Sequence, residues 1–201
     1  MANQIQELRG KLWDISESMG IDAKVFSGGF SILWDPSRVT LTGFQGSRNS
    51  IIDNFKVVGF PISQIITNVY VPKKVVDKCS FLSSLKNMRE ISPNVHWVVG
   101  GYFNLITSLE EKKGGRNFLE EECDLFRETI KDLVLVDITH GEVLFTWNNK
   151  RYGDFHIASR LDWFLVFESI IDLGSEIHSA TLSGRGSDHR TIQLMRSGLE
   201  S

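Results

Sequence analysis

Residues 96–104 read HWVVGGYFN. An aromatic and β-branched run that ends in two glycines marks a core strand, and the polar side chains begin where the strand stops. Polar groups at the ends of apolar strands are where a rigid scaffold presents chemistry. Two more clusters of this kind follow, Arg160-Leu161-Asp162 at the head of the apolar run DWFLVF, and Ser187-Asp188-His189 after a glycine-bearing stretch. Upstream, Asn68-Val69-Tyr70-Val71-Pro72 closes another strand-like run.

Around these landmarks the chain reads as one folded domain. Its 201 residues are 41% hydrophobic and 10% aromatic, a profile far from disorder. With 22 basic and 25 acidic residues the net charge is −3, so any polyanion must be met by a local patch or a metal. Cys79 and Cys123 form no C-x-x-C pair and are expected as buried thiols in a reducing compartment. The start, MANQIQELRGK, is broken by charge before an apolar core forms, which is unlike a secretory signal. The uncharged stretch Val57 to Pro72 falls short of the ~20 residues of a spanning helix. The expectation is a soluble protein of the nucleus or cytoplasm with no membrane partner.

Apolar spacing predicts helices over Gln4 to Met19 and Val76 to Glu90, and a third, capped by Asn117 with Glu120, whose Leu119, Cys123, Phe126, Ile130 and Leu133 face inward. Its acidic start suits a helix N-terminus. Strands are expected at FSILW and RVTLT, joined as a hairpin, then at Ile51 to Val58 and Gln64 to Val71 as a second hairpin. Further strands are expected at HWVVGG, VLFTWNN, RLDWFLVF, SEIHSATL and RTIQLM. Roughly nine strands with hairpin connections and three helices argue against a purely parallel doubly wound sheet.

In order, the chain carries Ser27 to Gly29, Ile32 to Asp35, Asn68 to Pro72, Gly100 to Asn104, Glu111 to Gly115, Phe145 to Asn149, Arg160 to Asp162, and Ser187 to His189. This series resembles the endonuclease/exonuclease/phosphatase superfamily, and most of all the endonuclease domain of plant LINE-type (non-LTR) retrotransposons. The resemblance implies an α/β (α+β) fold of two mixed, largely antiparallel sheets packed face to face with flanking helices, a four-layer DNase I-like sandwich lacking its first strands. Residues 1–26 are then a helix and lead-in, 27–194 a partial domain of that family, and 195–201 a frayed tail.

What the resemblance implies chemically is hydrolysis of phosphate esters with a divalent cation, Mg²⁺. It makes His189 the imidazole that meets the phosphate or its attacking water, and Asp162 the carboxylate that fixes its tautomer. Asp188 would lie near the metal, Asn104 would hydrogen-bond the phosphate or nucleophile, and Tyr70 would offer its phenol to the phosphate or sit as a core-edge aromatic. Asn68 and Arg160 are substrate-side candidates whose alternative roles are capping a strand end and anchoring the backbone. Trp147 is either a core residue or the rim of a nucleic-acid groove, and the pairs Lys73-Lys74, Lys112-Lys113 and Lys150-Arg151 are solvated loops or phosphate contacts.

Tyr102 stands where the family motif has aspartate, and a phenol with pKa near ~10 is not a neutral-pH base. The family's N-terminal Asn and Glu motifs are not recognisable either. These departures set a catalytically impaired hydrolase of retroelement origin beside a non-catalytic nucleic-acid or protein binding module. Weak DNA binding and self-association through exposed edges are the expected partner relations.

Overall fold

The computed structural model describes residues 17–21, 30–58, 63–91, 95–116, 119–139, 141, 144–172, 176–182 and 186–197. The chain divides into two compact units, Met1–Asn68 and Val69–Ser201.

In the first unit, β1 (Glu17–Ile21) pairs antiparallel with β2 (Phe30–Trp34). Next, β3 (Val39–Gly46) pairs antiparallel with β4 (Ser50–Val57), with a register shift between Leu41 and Gly43. Strand β5 (Gln64–Tyr70) follows β4 in the sheet order and carries the chain into the second unit. Two expectations are corrected here. The end of the predicted first helix, Glu17 to Met19, is strand, while residues 4–16 lie outside the described residues. FSILW pairs with β1 and RVTLT with β4, so those two segments do not form a hairpin with each other. The turn at Asp35-Pro36-Ser37 is nevertheless built, with the Asp35 carboxylate accepting from the Ser37 N–H at 2.8 Å.

The second unit opens with helix α1 (Val75–Ile91) and the core strand β6 (His96–Tyr102). A 3-10 turn at Leu109–Glu111 leads into β7 (Lys112–Lys113), α2 (Glu120–Asp132) and β8 (Leu135–Asp137). After β9 (Trp147–Asn148) come β10 (Ala158–Ser159), β11 (Asp162–Phe167), the short helix α3 (Glu168–Ile171), β12 (Glu176–Leu182) and β13 (Thr191–Ser197). The strand expected at VLFTWNN is confined to its last part, Trp147–Asn148. Asn117, the expected cap of α2, lies outside the described residues; Leu119 occupies the N-cap position and is exposed rather than inward-facing.

Strand β11 lies between β6 and β8 and pairs antiparallel with both. Because it is covered on both faces, it reads as a continuous apolar run with no polar alternation. On one face Trp163 meets Phe126 of α2 edge-on, with ring centroids 5.2 Å apart, and Phe126 meets Phe103 at 5.1 Å. On the other, Val166 packs with Val98 and Ile170, and Ile177 and Leu194 of the β12–β13 pair cover them. Unit two is thus itself layered: helix, sheet, hairpin. A Cβ on Gly100 would stand 2.6 Å from the Phe164 ring, so the first glycine of HWVVGG lets that ring lie against the neighbouring strand.

Helices α1 and α2 are joined by Lys78, whose ammonium is 2.5 Å from Glu122 with both side chains largely buried. Cys123 is buried but Cys79 is exposed on α1, which corrects the expectation of two buried thiols. Among the described residues no helix is long and apolar enough to cross a membrane.

Candidate active site

The register of the central sheet decides what meets what. Asp162, the first residue of β11, stands opposite Tyr102, the last residue of β6, so the ends of two core strands bring the Gly100–Asn104 and Arg160–Asp162 clusters within reach of one another. Just beyond β6, Asn104 adopts φ = 52°, a left-handed conformation that asparagine tolerates better than most residues. That turn brings the Asn104 side chain back to Tyr102, whose hydroxyl donates to Asn104 Oδ1 at 2.8 Å.

His189 Nδ1 lies 2.8 Å from Asp162 Oδ2. The carboxylate accepts, so Nδ1 carries the proton and Nε2 is left to exchange one. Burial of the ring pulls its pKa down, but the Asp162 hydrogen bond and the charges of Asp162 and Asp188 outweigh it, and the imidazole titrates above its ordinary value. The ring sits edge-on to Tyr102, centroids 5.0 Å apart, and Tyr102 in turn meets the half-exposed Tyr70 at 5.0 Å. Burial first, and then the negative groups around it, raise the Tyr102 phenol far above its usual value, so it remains neutral.

The segment 146–148 holds this arrangement together, a role the sequence did not disclose. The fully buried Thr146 hydroxyl accepts the N–H groups of Leu161 at 2.9 Å and Asp162 at 3.0 Å. The Thr146 carbonyl accepts from Arg190 N–H at 2.7 Å and the Asp188 carbonyl from Asn148 N–H at 3.1 Å, which flanks the isolated bridge between Trp147 and His189. The Trp147 indole N–H donates to Asp188 Oδ2 at 2.9 Å, and chiefly for that reason the Asp188 carboxyl titrates below its usual range. Trp147 also packs against the cluster of Ile106, Cys123 and Leu161. It therefore combines the core reading with an anchoring hydrogen bond. The signal for Thr146 was only its place in the alternating run FTWNN.

Arg160, two residues before Asp162, goes elsewhere. Its guanidinium pairs with both oxygens of Asp137 at 2.6 and 2.8 Å, donates to Glu111 Oε1 at 3.1 Å, and stacks over the Trp163 ring at 3.6 Å. Glu111 Oε2 accepts from Thr107 N–H at 2.7 Å and its hydroxyl at 3.1 Å. With 5% of its side chain exposed, Arg160 is committed to the scaffold, in line with the anchoring alternative; nothing in its surroundings supports substrate contact. The stretch Glu111 to Gly115 is likewise structural, since a Cβ on Gly114, at φ +70°, would stand 2.3 Å from the His156 carbonyl oxygen. Asn68 lies half-buried on β5, in the first unit.

A divalent cation of the Mg²⁺ kind takes about six oxygen ligands. Among the described residues no three His, Cys, Asp or Glu side chains are grouped to hold a metal. One oxygen of Asp188 already accepts from Trp147, and Asn104 Oδ1 from Tyr102. The donor set described does not fit the ion, and no chemical step is derived through it.

The α/β fold of mixed sheets and few helices, with strand ends meeting at a histidine-aspartate pair, is DNase I-like. Solved structures with this fold include the endonuclease domain of TRAS1, a telomere-specific non-LTR retrotransposon, at TM-score 0.69 and 16% identity, covering 98% of this chain and 91% of that one. TDP2 of D. rerio, solved with a single-strand DNA product, matches at TM-score 0.62 and 11% identity over 94% of this chain and 80% of its own. A mannosyl-6-phosphatase of Bacteroides thetaiotaomicron matches at 0.62 and 16% over 98% and 82%. At these identities the likeness is one of fold. No family model and no curated protein matches the sequence.

Proposed function

We propose that this chain is a phosphodiester-hydrolase-type domain of retroelement origin that keeps the imidazole half of its site and is impaired in cleavage. The observation that carries the reading is the 2.8 Å contact between His189 Nδ1 and Asp162 Oδ2, at the meeting of three polar clusters. The names of the similar structures, an endonuclease, a DNA-product complex and a sugar phosphatase, share phosphate-ester chemistry and support the substrate class.

In this reading His189 uses Nε2 at the phosphate. Its raised pKa makes the charged ring more populated than in a free imidazole, which suits holding a phosphate oxygen, while Asp162 keeps the proton on Nδ1 and balances the charge. Tyr102 is one source of the impairment, beside the unrecognisable N-terminal Asn and Glu motifs. The phenol stays protonated and cannot take a proton from water, and its hydroxyl engages the Asn104 oxygen. Loss of a general base alone costs about 10² to 10⁴ in rate. The same plug favours the second reading, a domain that binds nucleic acid without cutting it.

The test is nicking of supercoiled plasmid by micromolar protein with Mg²⁺ or with EDTA. The expected result is no difference between the two, for the natural chain and for Tyr102→Asp alike. Mg²⁺-dependent nicking that disappears in His189→Ala would overturn the impairment, and full activity in Tyr102→Asp would assign it to that one side chain.

A further inference from the structure

Beside the imidazole pair, unit two has a second concavity of about 780 Å³, between β7 and the loop over residues 148–156. Lys113, Lys150, Arg151 and His156 line it, against the single acid Asp154. In a chain with a net charge of −3, this hollow has a local excess of basic side chains. Lys150 ties its ammonium to the Gly186 carbonyl at 2.8 Å, which joins the loop to the Ser187-Asp188-His189 segment. Lys113 and Arg151 have no ion-pair partner among the described residues and face the hollow as open charges.

The loop is pre-formed. Asn149 Oδ1 accepts from Arg151 N–H at 3.2 Å and Ile157 N–H at 3.0 Å, and its amide donates to the Phe155 carbonyl at 2.8 Å. Asn148 Oδ1 accepts from Lys150 N–H at 2.9 Å, and Lys150 and Gly153 both take positive φ, 54° and 59°. What this rigid turn holds out is apolar: Tyr152 is 92% exposed and Phe155 73%. An aromatic ring placed in water on a built loop beside paired cations has the layout of a stacking platform.

The concavity does not stand alone. It shares Asn148 and His156 with an adjoining recess of about 370 Å³ whose wall includes Trp147 and Arg190, the residues that bracket His189 through the β9 bridge and the Thr146 carbonyl.

We propose that this trough is a docking site for a single-stranded polynucleotide, with a base stacked on Tyr152 and the flanking phosphates on Lys113 and Arg151. Regularly spaced anions with flat apolar faces between them match alternating cations and an exposed ring. A duplex turns those faces inward and offers the ring nothing to stack on. The inference rests on the phosphodiester reading for the kind of ligand, and it needs no cleavage.

The experiment is fluorescence anisotropy in EDTA, with a labelled oligothymidylate and with a duplex of the same length, across a salt series. The single strand is expected to bind more tightly than the duplex. Tyr152→Ala should weaken single-strand binding about 5- to 150-fold, the range measured for loss of one base–aromatic stack, and Tyr152→Phe should restore it. Arg151→Gln and Lys113→Gln should each flatten the log–log salt slope by about 0.7, whereas Lys131→Gln on α2 should leave it unchanged. A duplex bound as tightly as the strand, a Tyr152→Ala protein that binds like the natural chain, or no binding of either nucleic acid overturns the proposal. Plasmid nicking reports on the hydrolase reading separately, so binding without nicking leaves this inference standing, and nicking with binding indifferent to Tyr152, Arg151 and Lys113 leaves only the other.

Discussion

Arg160 and Asp162 are two residues apart, yet their side chains belong to opposite kinds of polar cluster. Around Arg160 the valences are closed: two carboxylates, an indole face and the Thr107 donors to Glu111 satisfy one another at 5% side-chain exposure. Around Asp162 they are open. His189 keeps a third of its side chain accessible and one ring nitrogen beyond the Asp162 contact, with the half-exposed Tyr70 close by Tyr102. A motif such as R-L-D thus mixes two tasks, and saturation separates them: a saturated ion network holds a fold, and a group with spare capacity does chemistry or binds.

The comparison breaks first at the closed cluster. Arg160→Met keeps volume but strands the Glu111 and Asp137 carboxylates, and it should cost about 3–5 kcal/mol in urea unfolding. A loss under 1 kcal/mol would mean that the network is solvated and not closed.

Asp53 in unit one sharpens the contrast, being a third case: 1% exposed, between Ile51 and Phe55 on one face of β4, with neither oxygen hydrogen-bonded. Strand β3 opposite it has no ionisable residue. Burial raises its pKa from 3.8 to about 6. A carboxyl whose pKa is higher folded than unfolded binds a proton on folding, so the contribution of Asp53 to stability is most favourable below pH 3.8 and is lost as pH rises through about 6. Asp53→Val is expected to stabilise by about 2 to 3 kcal/mol at pH 8 and by much less at pH 4. Equal gains at both pH values would show that the carboxyl titrates alike in the folded and the unfolded chain.

The smallest effect is at the open cluster. His189 has a folded-state pKa above 6.5, so its contribution to stability is complete below the unfolded value and fades as pH rises through the folded one. Asp162→Asn removes the hydrogen-bonded charge and leaves burial in control, so the imidazole should titrate lower when followed by NMR of its ring proton. An unmoved titration would show that the contact does not govern the charge of the ring.

Much of this layout was legible in the sequence because it is carried by short polar clusters on long apolar strands. HWVVGGYFN and RLDWFLVF name their own strands, and the register of those strands then brings Tyr102 to Asp162. The failures have a common cause in partner choice. Glu17 to Met19 fits a helical spacing locally, and only pairing with β2 makes it strand. FSILW and RVTLT are neighbours in sequence, but each pairs with a different strand. The division of R-L-D between scaffold and site was invisible for the same reason, since Glu111 and Asp137 lie 49 and 23 residues away.

The Thr146 hydroxyl receives two successive amides, those of Leu161 and Asp162, so a single oxygen atom fixes the bend between the closed cluster and the open one. Valine has the same outline and no such atom. Natural variation at 146 should therefore be confined to serine and threonine, even in relatives that have abandoned cleavage altogether. Retention there is a sign of a bend kept in shape, and not of a surviving enzyme.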